Sequence, residues 1–155
     1  SPEATPPSVP PKAFIAHGGQ TKALEKLSKF VEALGVEVIV AEWRPSEGRW
    51  TDQQVDKQIG EADCGIVLAE YGHIVDVRTG AKHPRLNVVD ELARLRKTFP
   101  NRVILLLEKE VKMPSNVSGI VHEGFAKQNM EKAFTKVASE LGKFGIIRAV
   151  RPEAK

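Results

Sequence analysis

The chain has 155 residues, of which 41% are hydrophobic, enough to bury the core of one domain. Lysine and arginine total 23 against 20 aspartate and glutamate, and this near balance, without long runs of like charge, argues against a nucleic-acid partner. The single cysteine, Cys64, excludes an intrachain disulfide and favours a cytoplasmic location, and no signal peptide or membrane-spanning pattern is present, so we expect no membrane partner.

The start of the chain is rich in proline, with five prolines among residues 1–12. Such a composition stays extended and cannot bury enough apolar surface to fold. We therefore predict a linker at residues 1–11, one domain at residues 12–147 and a tail at residues 148–155. Because the chain begins with Ser1 rather than Met, we expect an upstream sensor or oligomerisation domain in a longer protein.

From Lys12 onward, short apolar runs alternate with helical patterns, which is typical of a parallel sheet covered on both faces. The helical patterns are found at residues 21–35, around Val55 and Ile59, at residues 85–99 and at residues 128–141. The predicted strands are residues 13–16, 36–43, 64–70, 103–107 and 119–125.

This order predicts an α/β fold, a flavodoxin-like doubly wound sheet of five parallel strands with helices on both faces. In such folds the ligand crevice opens at the carboxyl ends of the strands beside the switch point, here the first and third. The loops predicted to border the crevice are residues 17–20 and 71–86, with residues 44–50 close by.

The helix "RLNVVDELARL" places two acids side by side, Asp90 and Glu91. At 100° per residue, Glu91 falls at the edge of the apolar stripe on the same side as Asn87 and Arg94, whereas Asp90 points away from the core. A carboxylate at such an edge is ordinarily a solvated charge, here a candidate partner of Arg94. Periodicity alone leaves that alternative open. The stripe consists of Val88, Leu92, Leu95 and Phe99.

Four segments resemble the Toll/interleukin-1 receptor (TIR) superfamily, in particular its prokaryotic branch of predicted nucleotide-binding proteins and effectors of cyclic-nucleotide-triggered antiphage systems. The segments are "KAFIAHGG", "RPSEGRWTDQQVDKQIGEADCGIVLAE", "RLNVVDELARL" and "RVILLLEKEVKMPSNVSGIV". The resemblance covers residues 12–141. The positions that carry it are His17-Gly18, Gly48-Arg49, the Asn-Val-x-x-Glu-Leu pattern at residues 87–92, and residues 114–120.

The resemblance implies a TIR fold and NAD⁺ glycohydrolase activity, with Glu91 as the catalytic residue and NAD⁺ as substrate rather than cofactor. One carboxylate is chemically reasonable. Glycoside hydrolysis ordinarily needs a second carboxyl group to protonate the leaving group, but the nicotinamide of NAD⁺ leaves neutral without a proton. A single glutamate can then stabilise the developing positive charge. The resemblance also implies a role in immune or antiphage defence.

The turn "AHGGQTK" supplies the first candidate substrate contacts, His17, Gly18 and Gly19. Free amides at a helix N-terminus favour phosphate, but two glycines in such a turn are also ordinary turn chemistry. His17 is equally consistent with a ribose or phosphate contact and with a residue that only ends the strand. Asn87 is a further predicted substrate contact, within the motif that contains Glu91.

The loop "RPSEGRW" and its preceding tryptophan supply the other candidates. Trp43 and Trp50 could stack on nicotinamide or adenine, or pack within the loop. Arg44 and Arg49 could reach the pyrophosphate, or remain solvated. In TIR domains this loop also joins subunits, so we predict self-association through residues 44–50.

The segment of residues 71–86 is longer than an ordinary connection between a strand and a helix, and it carries several basic side chains. Two interpretations are open: a basic lid over a dinucleotide, or a disordered insertion. His73 and His83 lack the spacing of a zinc site, and we predict no metal.

Two other functions remain open at this point: a TIR-type interaction module without turnover, and an enzyme like the nucleoside deoxyribosyltransferases, in which a glutamate attacks the ribosyl carbon. Fold alone does not separate these functions from NAD⁺ cleavage.

Overall fold

A five-stranded parallel sheet forms the centre of the chain, and a computed structural model describes residues 9–40 and 52–148. The strands are β1 (Lys12–Ala16), β2 (Glu37–Val40), β3 (Cys64–Ala69), β4 (Ile74–Val75), β5 (Lys82–His83), β6 (Val103–Glu108) and β7 (Val121–Phe125). In the central sheet the strand order is β2-β1-β3-β6-β7, so the predicted flavodoxin-like topology is confirmed. Strands β4 and β5 form a separate antiparallel hairpin.

Four helices cover the sheet and divide the apolar residues into two layers. The helices are α1 (Lys22–Ala33), α2 (Asp52–Gly60), α3 (Leu86–Thr98) and α4 (Glu131–Lys143). Alternate residues of a strand point to opposite faces, so Ile15 packs in the layer with α1 and α4 while Phe14 packs in the layer with α2 and α3. The burial of every residue of β3 explains its continuous apolar sequence.

A close approach between α3 and β3 depends on Gly65. A Cβ added at Gly65 would lie 2.7 Å from Cδ2 of Leu95, so only glycine lets this leucine sit directly on the strand. Leu95 is fully buried and follows Glu91 by one helical turn. The contact therefore sets the depth of the helix that carries the candidate catalytic residue.

Several predicted boundaries differ from the structure by one to three residues, and two of these differences have a clear local cause. Strand β7 begins at Val121 rather than at residue 119, because Gly119 has a left-handed φ of +85° and forms a turn. Helix α4 begins at Glu131 rather than at residue 128. The Glu131 amide donates to the side chain of Asn129, which itself pairs with Ala126 in a short bridge.

Residues 71–86 contain the β4–β5 hairpin, so the alternative of a disordered insertion was wrong. Its turn is organised by Asp76, whose carboxylate accepts hydrogen bonds from the amides of Arg78 and Thr79. Gly72 is required at its base, where an added Cβ would overlap the backbone of Pro84 and Arg85. Across the described part of the chain, no helix combines the length and apolarity needed to cross a membrane.

Candidate active site

A cleft of about 430 Å³ opens at the carboxyl ends of β1 and β3, where the switch point of the topology predicts a ligand site. It lies between the turn that follows β1 and the segment that follows β3. Its lining residues are Gly18, Gly19, Gln20, Thr21, Glu70, Tyr71, Gly72, His73, Arg85 and Lys127. Two of the predicted contacts, Gly18 and Gly19, therefore border this cleft.

The turn after β1 is held by its own histidine. His17 is only 3% exposed, and its Nδ1 lies 3.1 Å from the amide nitrogen and 3.0 Å from the carbonyl oxygen of Gly19. A Cβ on Gly18 would come within 3.3 Å of the Arg85 side chain, whereas the space beside Gly19 is open. The turn thus packs against the start of α3 on one side and leaves room at Gly19 on the other.

Asn87 ties α3 to this turn. Its side-chain amide donates a hydrogen bond of 2.9 Å to the main-chain carbonyl of His17, seventy residues earlier in the chain. We predicted from sequence that Asn87 would contact substrate; the contact that the structure describes is this tether. Asn87 therefore fixes the end of β1 relative to the helix that carries Glu91.

Glu91 lies one turn after Asn87 and is buried, with 7% of its surface exposed. Residues four apart share a helix face, so Glu91 lies on the side of α3 that Asn87 turns towards the end of β1. Asp90 is exposed on another side and is bound by Arg94 at 3.1 Å. This agrees with the helical faces expected from the 100° periodicity.

Arg94, the partner considered for Glu91 in the sequence, forms ion pairs with three aspartates instead. Its guanidinium lies 2.9 Å from Asp52 and from Asp56, both on α2, and 3.1 Å from Asp90. These hydrogen bonds raise the pKa of Arg94, chiefly the bond to Asp56 and then that to Asp90. The cluster joins α3 to the beginning of α2, at Asp52.

A second carboxylate, which the sequence analysis did not single out, borders the crevice. Glu70, directly after β3, is 9% exposed, and its Oε2 accepts a 2.7 Å hydrogen bond from the Thr21 hydroxyl. Lys127, after β7, lies 3.5 Å from its Oε1 and 4.0 Å from Glu108. The sequence does contain a signal for this residue, because one acid ends the apolar run "CGIVLAE" and the strand ends at the switch point face the crevice.

Buried polar side chains concentrate at this edge of the sheet. In the described residues they are His17, Glu70, Glu91 and Glu140. Glu140 is neutralised near the end of α4 by Lys136 at 3.4 Å and Lys143 at 3.3 Å, which is a structural arrangement. Of the other three, His17 follows β1 and Glu70 follows β3. Glu91 lies on the face of α3 that Asn87 ties to β1. Burial of polar groups is costly, so their grouping marks the candidate site.

Other predicted contacts fall in the segment 41–51, outside the described residues: Trp43, Arg44, Arg49 and Trp50. Their contribution stays a prediction. Within residues 9–40 and 52–148, no three His, Cys, Asp or Glu side chains are grouped so that they could hold a metal ion.

The chain is similar to known proteins in sequence and in structure. The family model described as "CAP12/Pycsar effector protein, TIR domain" matches residues 12–127. The receiver domain of a putative LuxO repressor protein from Vibrio parahaemolyticus has a similar structure, with a TM-score of 0.51 at 14% sequence identity. That match covers 89% of this chain and 95% of the receiver domain, and it shows a shared fold.

Two curated proteins are also similar in sequence. The Escherichia coli (strain K12) uncharacterized protein YuaY is 26% identical over 139 residues, which cover 87% of this chain and 46% of that protein. The Dictyostelium discoideum protein tirC is 27% identical over 124 residues, which cover 71% of this chain and 62% of that protein. The chain thus spans about half the length of these relatives.

Proposed function

The chain belongs to the family of CAP12/Pycsar effector TIR domains, and from this we propose that it hydrolyses NAD⁺ to nicotinamide and ADP-ribose, with Glu91 as the catalytic residue. The family supports an effector role, and the resemblance of the Asn-Val-x-x-Glu-Leu helix supports the reaction. NAD⁺ is the substrate, and the proposal requires no further cofactor.

The observation that carries this proposal is the burial of Glu91 on α3, one turn after the asparagine that is tied to the carboxyl end of β1. An incidental surface charge would be solvated, as Asp90 is, yet only 7% of Glu91 is exposed. Removing a carboxylate from water costs free energy, so buried carboxylates are found where the charge is paired in the fold or serves a function. The tether from Asn87 to His17 keeps this helix face aligned with the crevice.

The reaction requires one function of Glu91, which is to stabilise positive charge on the ribose. The bond between C1′ of the ribose and the nicotinamide nitrogen breaks, and its electron pair leaves with nicotinamide, which becomes neutral. The carboxylate stabilises the positive charge that develops on the ribose, where the low local dielectric strengthens the interaction. Water then adds to C1′ and loses a proton, which gives ADP-ribose.

In this proposal, the other predicted contact residues bind the rest of the dinucleotide. The turn at Gly18 and Gly19 precedes α1, and its amides together with the helix N-terminus suit a phosphate. Arg44 and Arg49 are proposed to reach the pyrophosphate, and Trp43 and Trp50 to stack on a base. His17 and Asn87 shape the wall between the turn and α3.

Assembly is part of the proposal. We expect residues 44–50 to join neighbouring copies, and an upstream sensor domain to bring copies together when it receives its signal. A tethered module gains effective concentration when its partners cluster, so a weak contact becomes populated without new interactions. The greater length of the curated relatives is consistent with additional domains. We propose a role in defence and a cytoplasmic location.

The test is release of free nicotinamide from NAD⁺ by the chain at high protein concentration. Steady release supports the proposal. An interaction module without turnover would release none, and an enzyme like the deoxyribosyltransferases would instead exchange bases between deoxynucleosides. Either of these results would contradict NAD⁺ hydrolysis.

A further inference from the structure

Glu70 is a buried carboxylate at the wall of the cleft that the proposed reaction at Glu91 does not use. Its Oε2 accepts the 2.7 Å hydrogen bond from Thr21, but its Oε1 is buried and receives no hydrogen bond from any described residue. Buried carboxylate oxygens without a hydrogen bond are uncommon because they forgo the bonds that water would supply. Glu70 also lines the cleft, so a ligand there can reach its side chain.

Thr21 explains why only one of the two carboxylate oxygens of Glu70 accepts a hydrogen bond. Its hydroxyl oxygen accepts the amide proton of Leu24 at 3.2 Å and so caps α1. Its single hydroxyl proton is therefore directed to Glu70 Oε2. This contact is structural and leaves Oε1 available.

Lys127 covers Oε1 loosely. Its ammonium lies 3.5 Å from that oxygen and 4.0 Å from Glu108, both longer than the roughly 2.8 Å of a charge-assisted hydrogen bond. Its side chain is half exposed, and exposed ion pairs contribute little to stability. Lys127 can therefore move away from Oε1 and stay near Glu108 at low cost.

We infer that Glu70 determines specificity by accepting a hydrogen bond from the adenosine ribose of NAD⁺, and that the site therefore rejects NADP⁺. This inference rests on the proposed function. With the nicotinamide ribose at Glu91, which does not line this cleft, the cleft is left for the other half of the dinucleotide. A ribose hydroxyl supplies the donor that Oε1 lacks, as acidic side chains do in other dinucleotide sites.

NADP⁺ is disfavoured at this position for two reasons. Its 2′-phosphate replaces the hydroxyl donor and brings negative charge against a carboxylate that has little access to water. The nearby ammonium of Lys127 is already shared by Glu70 and Glu108, so it offsets this repulsion only in part.

The experiment compares kcat/KM for nicotinamide release from NAD⁺ and from NADP⁺. The unsubstituted chain should prefer NAD⁺, and Glu70→Gln should reduce that preference by about tenfold or more, as loss of a hydrogen bond to a charged group does. Glu108→Gln is the matched control. It removes a carboxylate from the same lysine and keeps an oxygen for the Tyr71 amide, but its side chain lies outside the cleft lining, so it should change the preference much less than Glu70→Gln does.

A second variant and a binding measurement keep the inference testable if Glu70→Gln does not fold. Lys127→Met removes the ammonium but keeps the carboxylate, so discrimination against NADP⁺ should increase. By calorimetry, the chain should bind AMP more tightly than adenosine 2′,5′-bisphosphate, and Glu70→Gln should remove this difference.

The outcomes separate the inference from the function on which it rests. Equal cleavage of NAD⁺ and NADP⁺, equal effects of Glu70→Gln and Glu108→Gln, or weaker discrimination in Lys127→Met would each overturn the role of Glu70 while NAD⁺ hydrolysis stands. If neither dinucleotide is cleaved, the proposed function fails, and the AMP comparison still decides whether Glu70 recognises a ribose.

Discussion

Substitution of Gly65 by alanine is expected to push α3 away from the sheet and to impair both stability and activity. The new Cβ would lie 2.7 Å from Leu95 Cδ2 and 3.0 Å from Cδ1, whereas ordinary carbon contacts are about 3.5–4.0 Å. Relief of this overlap requires a shift of about 1 Å at the helix or its leucine. Both residues are buried within the core, so the overlap cannot be relieved by movement of a side chain into solvent.

Overpacking a core usually lowers the free energy of unfolding by about 1–3 kcal/mol. Alanine would by itself favour the folded state by about 0.5–1 kcal/mol through the unfolded chain, so the measured loss is the remainder after that gain. If α3 moves as a unit, Glu91 moves with it, and a displacement of about 1 Å in an active site can reduce the rate about 100-fold.

Denaturant titration measures the stability, and nicotinamide release measures the rate. Gly60→Ala is the matched control, because nothing lies within 4 Å of a Cβ at Gly60. The double variant Gly65→Ala/Leu95→Ala should lose less stability than the sum of the single variants, since the shortened side chain removes the overlap. A Gly65→Ala chain as stable as the Gly60→Ala chain would refute the close approach, and strictly additive losses would refute Leu95 as its partner.

Three further predictions concern the tether, the loop and the buried thiol. Asn87→Asp should destabilise the chain more than Asn87→Ala in denaturant titration, because a carboxylate cannot donate to the His17 carbonyl and would repel it; equal losses would contradict the tether. Trp50→Ala should lower nicotinamide release more at low than at high protein concentration; a loss independent of concentration would confine the loop to substrate contact. Burial, and then the charge of Asp63, raise the pKa of the Cys64 thiol to about 12, so iodoacetamide should label it only as the chain unfolds; rapid labelling of the native chain would contradict its burial.

The sheet and the position of the crevice could be predicted from sequence because both depend on local patterns. The runs "CGIVLAE" and "VILLL" can be buried on both faces only in central strands, and β3 and β6 are adjacent in the sheet. The 100° periodicity of α3 likewise separated Glu91 from Asp90, because apolar neighbours define the buried stripe.

The contacts that shape the site could not be predicted in this way. Asn87 reaches a backbone carbonyl seventy residues away, and Thr21 bonds a carboxylate that is forty-nine residues away. Neither contact leaves a periodic trace in the sequence, since a polar side chain at a strand or helix end looks the same whether it binds solvent, ligand or protein. The β4–β5 hairpin escaped prediction because its strands have two residues each.

The most direct test of the central claim compares nicotinamide release from NAD⁺ by Glu91→Gln and Asp90→Asn, both shown to be folded by circular dichroism. Both changes remove one carboxylate from α3 and differ mainly in the helix face on which the charge lies. The proposed role predicts that Glu91→Gln abolishes release while Asp90→Asn retains most of it. Equal losses from the two variants, or full release by folded Glu91→Gln, would contradict catalysis by Glu91.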